Sequence, residues 1–93
     1  MEVDVSVYAE QAELLKALAH PLRLCIVRGL IEKNGCNVTH MQDCLSAPQS
    51  TISQHLQKLR MAGIVQGTRN GTEIRYSVCD QRVVELIRIL FSQ

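Results

Sequence analysis

The feature that most constrains this chain is a change of period at Gly63. Before it, apolar residues recur every three or four positions, the spacing of one helix face; beyond it they alternate with polar neighbours, the spacing of a strand. Leu14, Leu15 and Leu18, then Leu22, Ile26, Val27, Leu30 and Ile31, then Ile52, Leu56 and Leu59 follow the first rule. Val65, Gly67, Ile74, Tyr76 and Val78 follow the second, arranged about Asn70-Gly71, a dipeptide that closes hairpins because both positions tolerate positive φ. Such a chain folds into several helices and one hairpin.

Local punctuation divides it further. A first helix is expected over Val7–Ala19 and is stopped by His20-Pro21, because the residue before proline avoids the helical region. The second is expected over Pro21–Lys33, with proline in its first turn and Asn34-Gly35 at its end. A short third helix is expected over Thr39–Leu45, capped by Thr39, with Met41, Cys44 and Leu45 facing inward. After the break at Ser46-Ala47-Pro48, a fourth is expected over Pro48–Met61, ended by Gly63. Closing the hairpin at Arg69 and Thr72 sets Gly67 opposite Ile74 and Val65 opposite Tyr76, which gathers the apolar side chains on one face. Asp80 is placed to cap a last helix over Gln81–Phe91, whose apolar residues cover more of its circumference than one small core can bury. The fold class is mainly α with a two-stranded β-hairpin wing (α+β): five helices and a hairpin.

Length and composition bound what this fold can do. The 93 residues suffice for one domain, residues 1–93, and not for a two-lobed enzyme. Aromatic residues are 3% of the chain (Tyr8, Tyr76 and Phe91), too few for a base-stacking platform. No apolar run approaches the roughly 18 residues that span a bilayer, and no signal-peptide pattern opens the chain, so a cytoplasmic protein with no membrane partner is expected. In that compartment the four cysteines read as reduced thiols. Charge is uneven along the chain. Residues 1–45 hold Lys16, Arg23, Arg28 and Lys33 against Glu2, Asp4, Glu10, Glu13, Glu32 and Asp43. Residues 46–77 hold Lys58, Arg60, Arg69 and Arg75 against Glu73 alone, so a polyanion would meet this second segment.

The same segment carries the pattern of a nucleic-acid reader. Two helices joined by a short break, followed by a basic hairpin, form a helix-turn-helix with a wing, whose second helix fits the major groove of B-DNA. In the fourth helix Ile52, Leu56 and Leu59 hold the inner face, leaving Gln49, Ser50, Thr51, Ser53, Gln54, His55, Gln57 and Lys58 as candidate contacts. Glutamine pairs with adenine through two hydrogen bonds, and small hydroxyls serve bases or phosphates. At the wing tip Arg69, Asn70 and Thr72 are the candidates for the backbone or the neighbouring minor groove. The rival reading is a winged protein-interaction module, which would need an apolar patch where this segment is polar and basic. No nucleophile–base pair and no phosphate-cradling glycine loop is present, so neither enzymatic activity nor a cofactor is expected.

The wording of several stretches resembles the ArsR/SmtB family of winged helix-turn-helix transcriptional repressors. They are Leu14-Leu15-Lys16-Ala17-Leu18-Ala19-His20-Pro21-Leu22-Arg23-Leu24, Pro48-Gln49-Ser50-Thr51-Ile52-Ser53-Gln54-His55-Leu56, Leu59-Arg60-Met61-Ala62-Gly63-Ile64-Val65 and Arg69-Asn70-Gly71-Thr72-Glu73-Ile74-Arg75-Tyr76-Ser77-Val78. The resemblance covers about residues 8 to 90. It implies a homodimeric repressor of a palindromic operator, released by an inducer that is often a metal ion. The family's metal ligands do not carry over. Its Cys-x-Cys pair falls on Asn37 and Thr39, and its Asp-x-His pair on Gln81 and Val83, so no metal site is expected. Some members sense oxidants or persulfides through one cysteine in the second helix and one in the last. Cys25 lies in that second helix, one turn early, and the last helix has no cysteine. On the residues alone, Cys25 and Cys44 are expected as small core side chains, Cys36 as the exposed loop thiol and therefore the redox candidate beside Cys25, and Cys79 between wing and last helix. His20 is expected to cap or pack, His40 to be exposed, and His55 either to be buried in a hydrogen bond or to meet a phosphate.

Overall fold

The computed structural model describes residues 2–92. Its helices are α1 (Ser6–Leu18), α2 (Pro21–Lys33), α3 (Val38–Leu45), α4 (Gln49–Met61) and α5 (Gln81–Leu90); its strands are β1 (Cys36–Asn37), β2 (Val65–Asn70) and β3 (Glu73–Val78). The corners have the chemistry the sequence implies. His20 is extended, and its Nδ1 accepts the backbone N–H of Leu22 at 3.1 Å, so it caps α2 just ahead of Pro21. Asn34 is left-handed at φ 56°, and Gly35 follows at φ 103° with its N–H bonded to the Leu30 carbonyl at 2.9 Å. Gly35 is also needed for space: a Cβ there would sit 3.0 Å from Arg75 Nε and 3.2 Å from the Tyr76 carbonyl. Asp80 caps α5, its Oδ1 accepting from Arg82 N at 2.9 Å.

Three details differ from the sequence reading. The cap of α3 is Asn37, whose Oδ1 accepts the His40 N–H at 2.8 Å, and Thr39 already lies inside the helix. The hairpin is paired two residues further on, with Asn70 opposite Glu73, Gly67 opposite Tyr76 and Val65 opposite Val78. Only Gly71 takes positive φ in the turn, at 69°, while Asn70 stays in the strand; a Gly71-Thr72 loop with glycine first is the type II′ alternative to the Asn-Gly turn. A shift of two preserves which face each side chain occupies, so the apolar pattern could not distinguish the registers. Finally, the hairpin gains a third strand. β1 pairs antiparallel with β3, Cys36 facing Tyr76 and Asn37 facing Arg75, in the order β1-β3-β2.

The core draws on every helix. Leu14 and Leu18, Ile26, Val27 and Leu30, Met41, the α4 trio Ile52, Leu56 and Leu59, and Val83 and Ile87 are buried together with Ile64 and Val65 at the start of the wing. All of these side chains are apolar, so burial is not opposed by polar desolvation. α4 thus lies over α2 and α3 with one face sealed.

Candidate nucleic-acid interface

α3 and α4 are joined by Ser46-Ala47-Pro48, with Ser46 left-handed at φ 53° and its N–H bonded to the Gln42 carbonyl at 3.0 Å. Pro48 then starts α4 from extended backbone, and the missing proline N–H costs nothing at a helix start. Ile52, Leu56 and Leu59 are 0–2% exposed and fix the roll of α4 about its axis. Gln49, Ser50, Ser53, Gln54, Gln57 and Lys58 are consequently exposed. Among the described residues the side chains of Gln49, Gln54 and Gln57 make no intramolecular hydrogen bond, which leaves their amides free for base edges. At the far end of the hairpin Arg69, Asn70 and Thr72 are exposed.

Two candidates sit differently. Thr51 and His55 are half-buried, on the flank of α4 that turns toward the α1–α2 corner. Arg23 Nη1 donates to His55 Nδ1 at 3.3 Å, and the rings of His20 and His55 lie 4.5 Å apart. Since a guanidinium can only donate, Nδ1 of His55 is an acceptor and the neutral ring carries its proton on Nε2. Partial burial, then His20, Arg23 and Lys58, push the His55 pKa below the ordinary histidine value. Arg23 is itself fixed by its Nε donating to the Ala17 carbonyl at 2.6 Å. The sequence reading missed Arg23 because it sits in the segment that is acidic on balance; the short His20-Pro21-Leu22-Arg23 step was the available signal.

The cysteines exchange places with their expectations. Cys36 is buried in β1, only 8% exposed, because β1 is laid against β3; burial pushes its thiol pKa up. Cys25 and Cys44 are exposed rather than in the core. Cys25 precedes the buried pair Ile26-Val27 on the outer flank of α2, and on α3 it is Met41 that fills the inward position. Cys25, Cys36 and Cys44 nevertheless line one small apolar cleft between α2 and α3, where Cys44 Sγ lies 3.8 Å from His40 Nε2. Cys79 is exposed, its thiol directed at the Gly63 carbonyl at 3.4 Å. At the family's metal positions, Asn37 serves as a cap, Thr39 is exposed, Gln81 donates to Glu85 at 3.0 Å, and Val83 is fully buried.

Comparison with known proteins agrees with this geometry. A helix-turn-helix domain family matches residues 18–68. The chain is 44% identical over 81 residues to the transcriptional repressor PagR of Bacillus anthracis, covering 87% of this chain and 81% of that one. The crystal structure of PagR superposes with a TM-score of 0.86 at 41% identity, covering 94% of this chain and 99% of that one. The repressor SmtB of Mycobacterium tuberculosis is 43% identical over 75 residues, 81% of this chain, which spans about half (55%) of that protein. A homodimeric winged helix-turn-helix DNA-binding domain of Mycobacterium bovis, described as a possible ArsR-family transcriptional regulator, superposes with a TM-score of 0.84 at 26% identity, covering 97% of this chain and 84% of that one. With the sealed inner face of α4, its free polar outer face and the basic wing, these likenesses show a DNA-binding transcriptional regulator, and the chain belongs to the ArsR/SmtB family of winged helix-turn-helix transcriptional repressors.

Proposed function

We propose that the protein works as a homodimeric repressor, residues 1–93 forming one winged unit per copy, and that each copy lays α4 in a major groove of a palindromic operator. The observation that carries this reading is the division of α4 into a sealed apolar face and an exposed face of Gln49, Ser50, Ser53, Gln54 and Gln57. Such a face offers donors and acceptors without bulk, as base-edge recognition requires. Arg69, Asn70 and Thr72 then hold the adjoining backbone or minor groove. Dimerisation through the terminal helices is supported by apolar side chains that no part of the subunit covers: Val5, Val7, Tyr8 and Leu15 at one end, Ile89 and Leu90 at the other. A two-fold axis between such helices puts the reading helices about 34 Å apart, one turn of DNA.

The protein acts by binding rather than catalysis, in the cytoplasm where the DNA is. Zinc and arsenite are expected to change operator affinity by no more than a few-fold, since a cap, a hydroxyl, an amide and a core valine occupy the family's ligand positions. The burial of Cys36 moves any oxidant response to the exposed Cys25 and Cys44. The test is mobility of the protein on the DNA upstream of its own reading frame and on random duplex, over a range of salt. Retention of the specific fragment at salt that frees the random one is expected. Equal retention of both would overturn the reading role of α4.

A further inference from the structure

A second basic surface lies outside the helix-turn-helix and the wing. Lys16 in the last turn of α1, Arg23 in the first turn of α2 and Lys58 in the last turn of α4 line one groove with Ala17 and Met61. His20 and His55 stand behind it, joined to it through Arg23. Among the described residues none of the three cations has a carboxylate within ion-pair distance; the pairs that form are Arg28–Glu32, Arg82–Asp80 and Arg88–Glu85. One carboxylate, Glu13, also lines the groove, and against three cations it leaves the groove net positive. Three elements therefore bring unpaired cations together, which costs energy by mutual repulsion unless an anion meets them.

We infer that this groove is a phosphodiester-binding site, formed by Lys16, Arg23 and Lys58, that grips a strand of the same duplex α4 reads. The inference rests on the reading role proposed for α4. The groove is continuous with that face: Lys58 follows Gln54 by one helical turn, and Met61 follows Gln57 by one. When the N-terminal half of such a helix points at base edges, the corner flanking its C-terminal half faces the sugar–phosphate backbone. Arg23 is preset for the role, because its Nε bond to the Ala17 carbonyl and its Nη1 bond to His55 hold the guanidinium plane in the groove wall. Lys16 supplies an exposed charge on the groove lining. The charge count along the sequence could not show this, because two of the three cations come from the segment with more acids than bases.

The experiment measures affinity of the full chain for its specific fragment and for random duplex across about a fourfold range of salt. Wild type is compared with Lys16→Gln, Arg23→Gln and Arg23→Lys. Each lost phosphate contact lowers the salt slope by about 0.9, so the loss of affinity across that range shrinks about 3.5-fold per contact. Lys16→Gln and Arg23→Gln are expected to show this, to weaken both duplexes equally, and to leave base preference unchanged. Arg23→Lys keeps the charge while losing the fork, and should retain most of the slope; loss of slope in both Arg23 variants would mark Arg23 as structural only. Among the described residues the Lys16 side chain makes no hydrogen bond or ion pair, so its variant should unfold at the wild-type midpoint and remains a valid test even if Arg23→Gln misfolds. A wild-type slope in Lys16→Gln and Arg23→Gln would overturn the inference while leaving the reading role of α4 intact. Failure of wild type to prefer its fragment would strike that reading role instead. Binding of inorganic phosphate that Lys16→Gln abolishes, with duplex affinity unchanged, would replace DNA by a free anion and overturn the assignment.

Discussion

α4 and α5 are both amphipathic helices, and their outer faces are opposites. On α4 the core takes Ile52, Leu56 and Leu59, and what remains outside is amide, hydroxyl and the cations Lys58 and Arg60, with Met61 in the last turn as the one exposed apolar side chain of the helix. On α5 the core takes Val83 and Ile87, and Ile89 and Leu90 remain 72% and 61% exposed. α1 behaves like α5, burying Leu14 and Leu18 while Leu15 and Tyr8 face outward. A face of unmatched hydrogen-bonding groups is well solvated and gives up its water only to a partner with a matching pattern. A face of unmatched apolar groups is relieved by any dry partner, and a second copy is always at hand. On the proposed function, one fold thus keeps its specificity and its stickiness on different helices.

The comparison can be broken most severely from the inside of α4. Leu59→Ala removes a fully buried anchor and should cost about 2–5 kcal/mol, read as a lower urea midpoint; a cost below about 1 kcal/mol would mean the inner face does not set the helix. The double change Ile89→Glu and Leu90→Glu should weaken self-association by about 2 kcal/mol or more, roughly thirtyfold, in sedimentation equilibrium. Unchanged association would remove α5 from the interface. Gln54→Ala should leave unfolding within about 0.5 kcal/mol of wild type and cost about 1–3 kcal/mol of discrimination at one base pair, measured by competition with single-substituted duplexes. If random DNA lost as much, Gln54 would be a backbone contact.

The smallest effect concerns His55, on the border between the two kinds of surface. Its pKa lies below the ordinary histidine value in the fold, so the native state favours the neutral ring. That contribution is complete above the unfolded value, roughly 6.5, and is lost as pH falls from there through the lowered folded value. The urea midpoint of the DNA-free protein should therefore decline over that window, and His55→Gln should flatten the decline. An identical decline in the variant would assign it elsewhere.

Legibility in the sequence followed the length of the signal. Helices with several apolar positions were placed to within a residue, α2 at both of its ends, because periodicity over many residues outweighs any single propensity. The outer face of α4 was legible for the same reason: three buried positions define a roll angle, and the residues opposite are outside. What failed was decided by tertiary contact. β1 is two residues long, too short for any alternation to show, yet its pairing with β3 buries Cys36. Cys25 and Cys44 lie near apolar neighbours in sequence, and a rotation of one position along each helix leaves them outside. The hairpin register turned on whether Asn70 or Gly71 would occupy the first loop position, and both dipeptide choices keep the apolar face intact. The Arg23–His55 bond spans 32 residues and leaves no local trace.

The middle strand has a mechanical consequence. β3 is bound on one edge by β2 and on the other by β1, and Asn37 of β1 is also the residue that caps α3. Arg75 of β3 reaches across and donates to the Asn34 carbonyl at 3.1 Å, tying in the end of α2 as well. The hairpin is therefore no free arm: it shares a hinge pin with the helix pair it flanks, and the two can only turn together. In the proposed dimer each copy would grip as one jaw, and the adjustable dimension of the tool would be the angle between two jaws. On that proposal, an operator lengthened by one base pair, about 3.4 Å, would not be met by flexing a wing and would have to be met at the two-fold axis or refused.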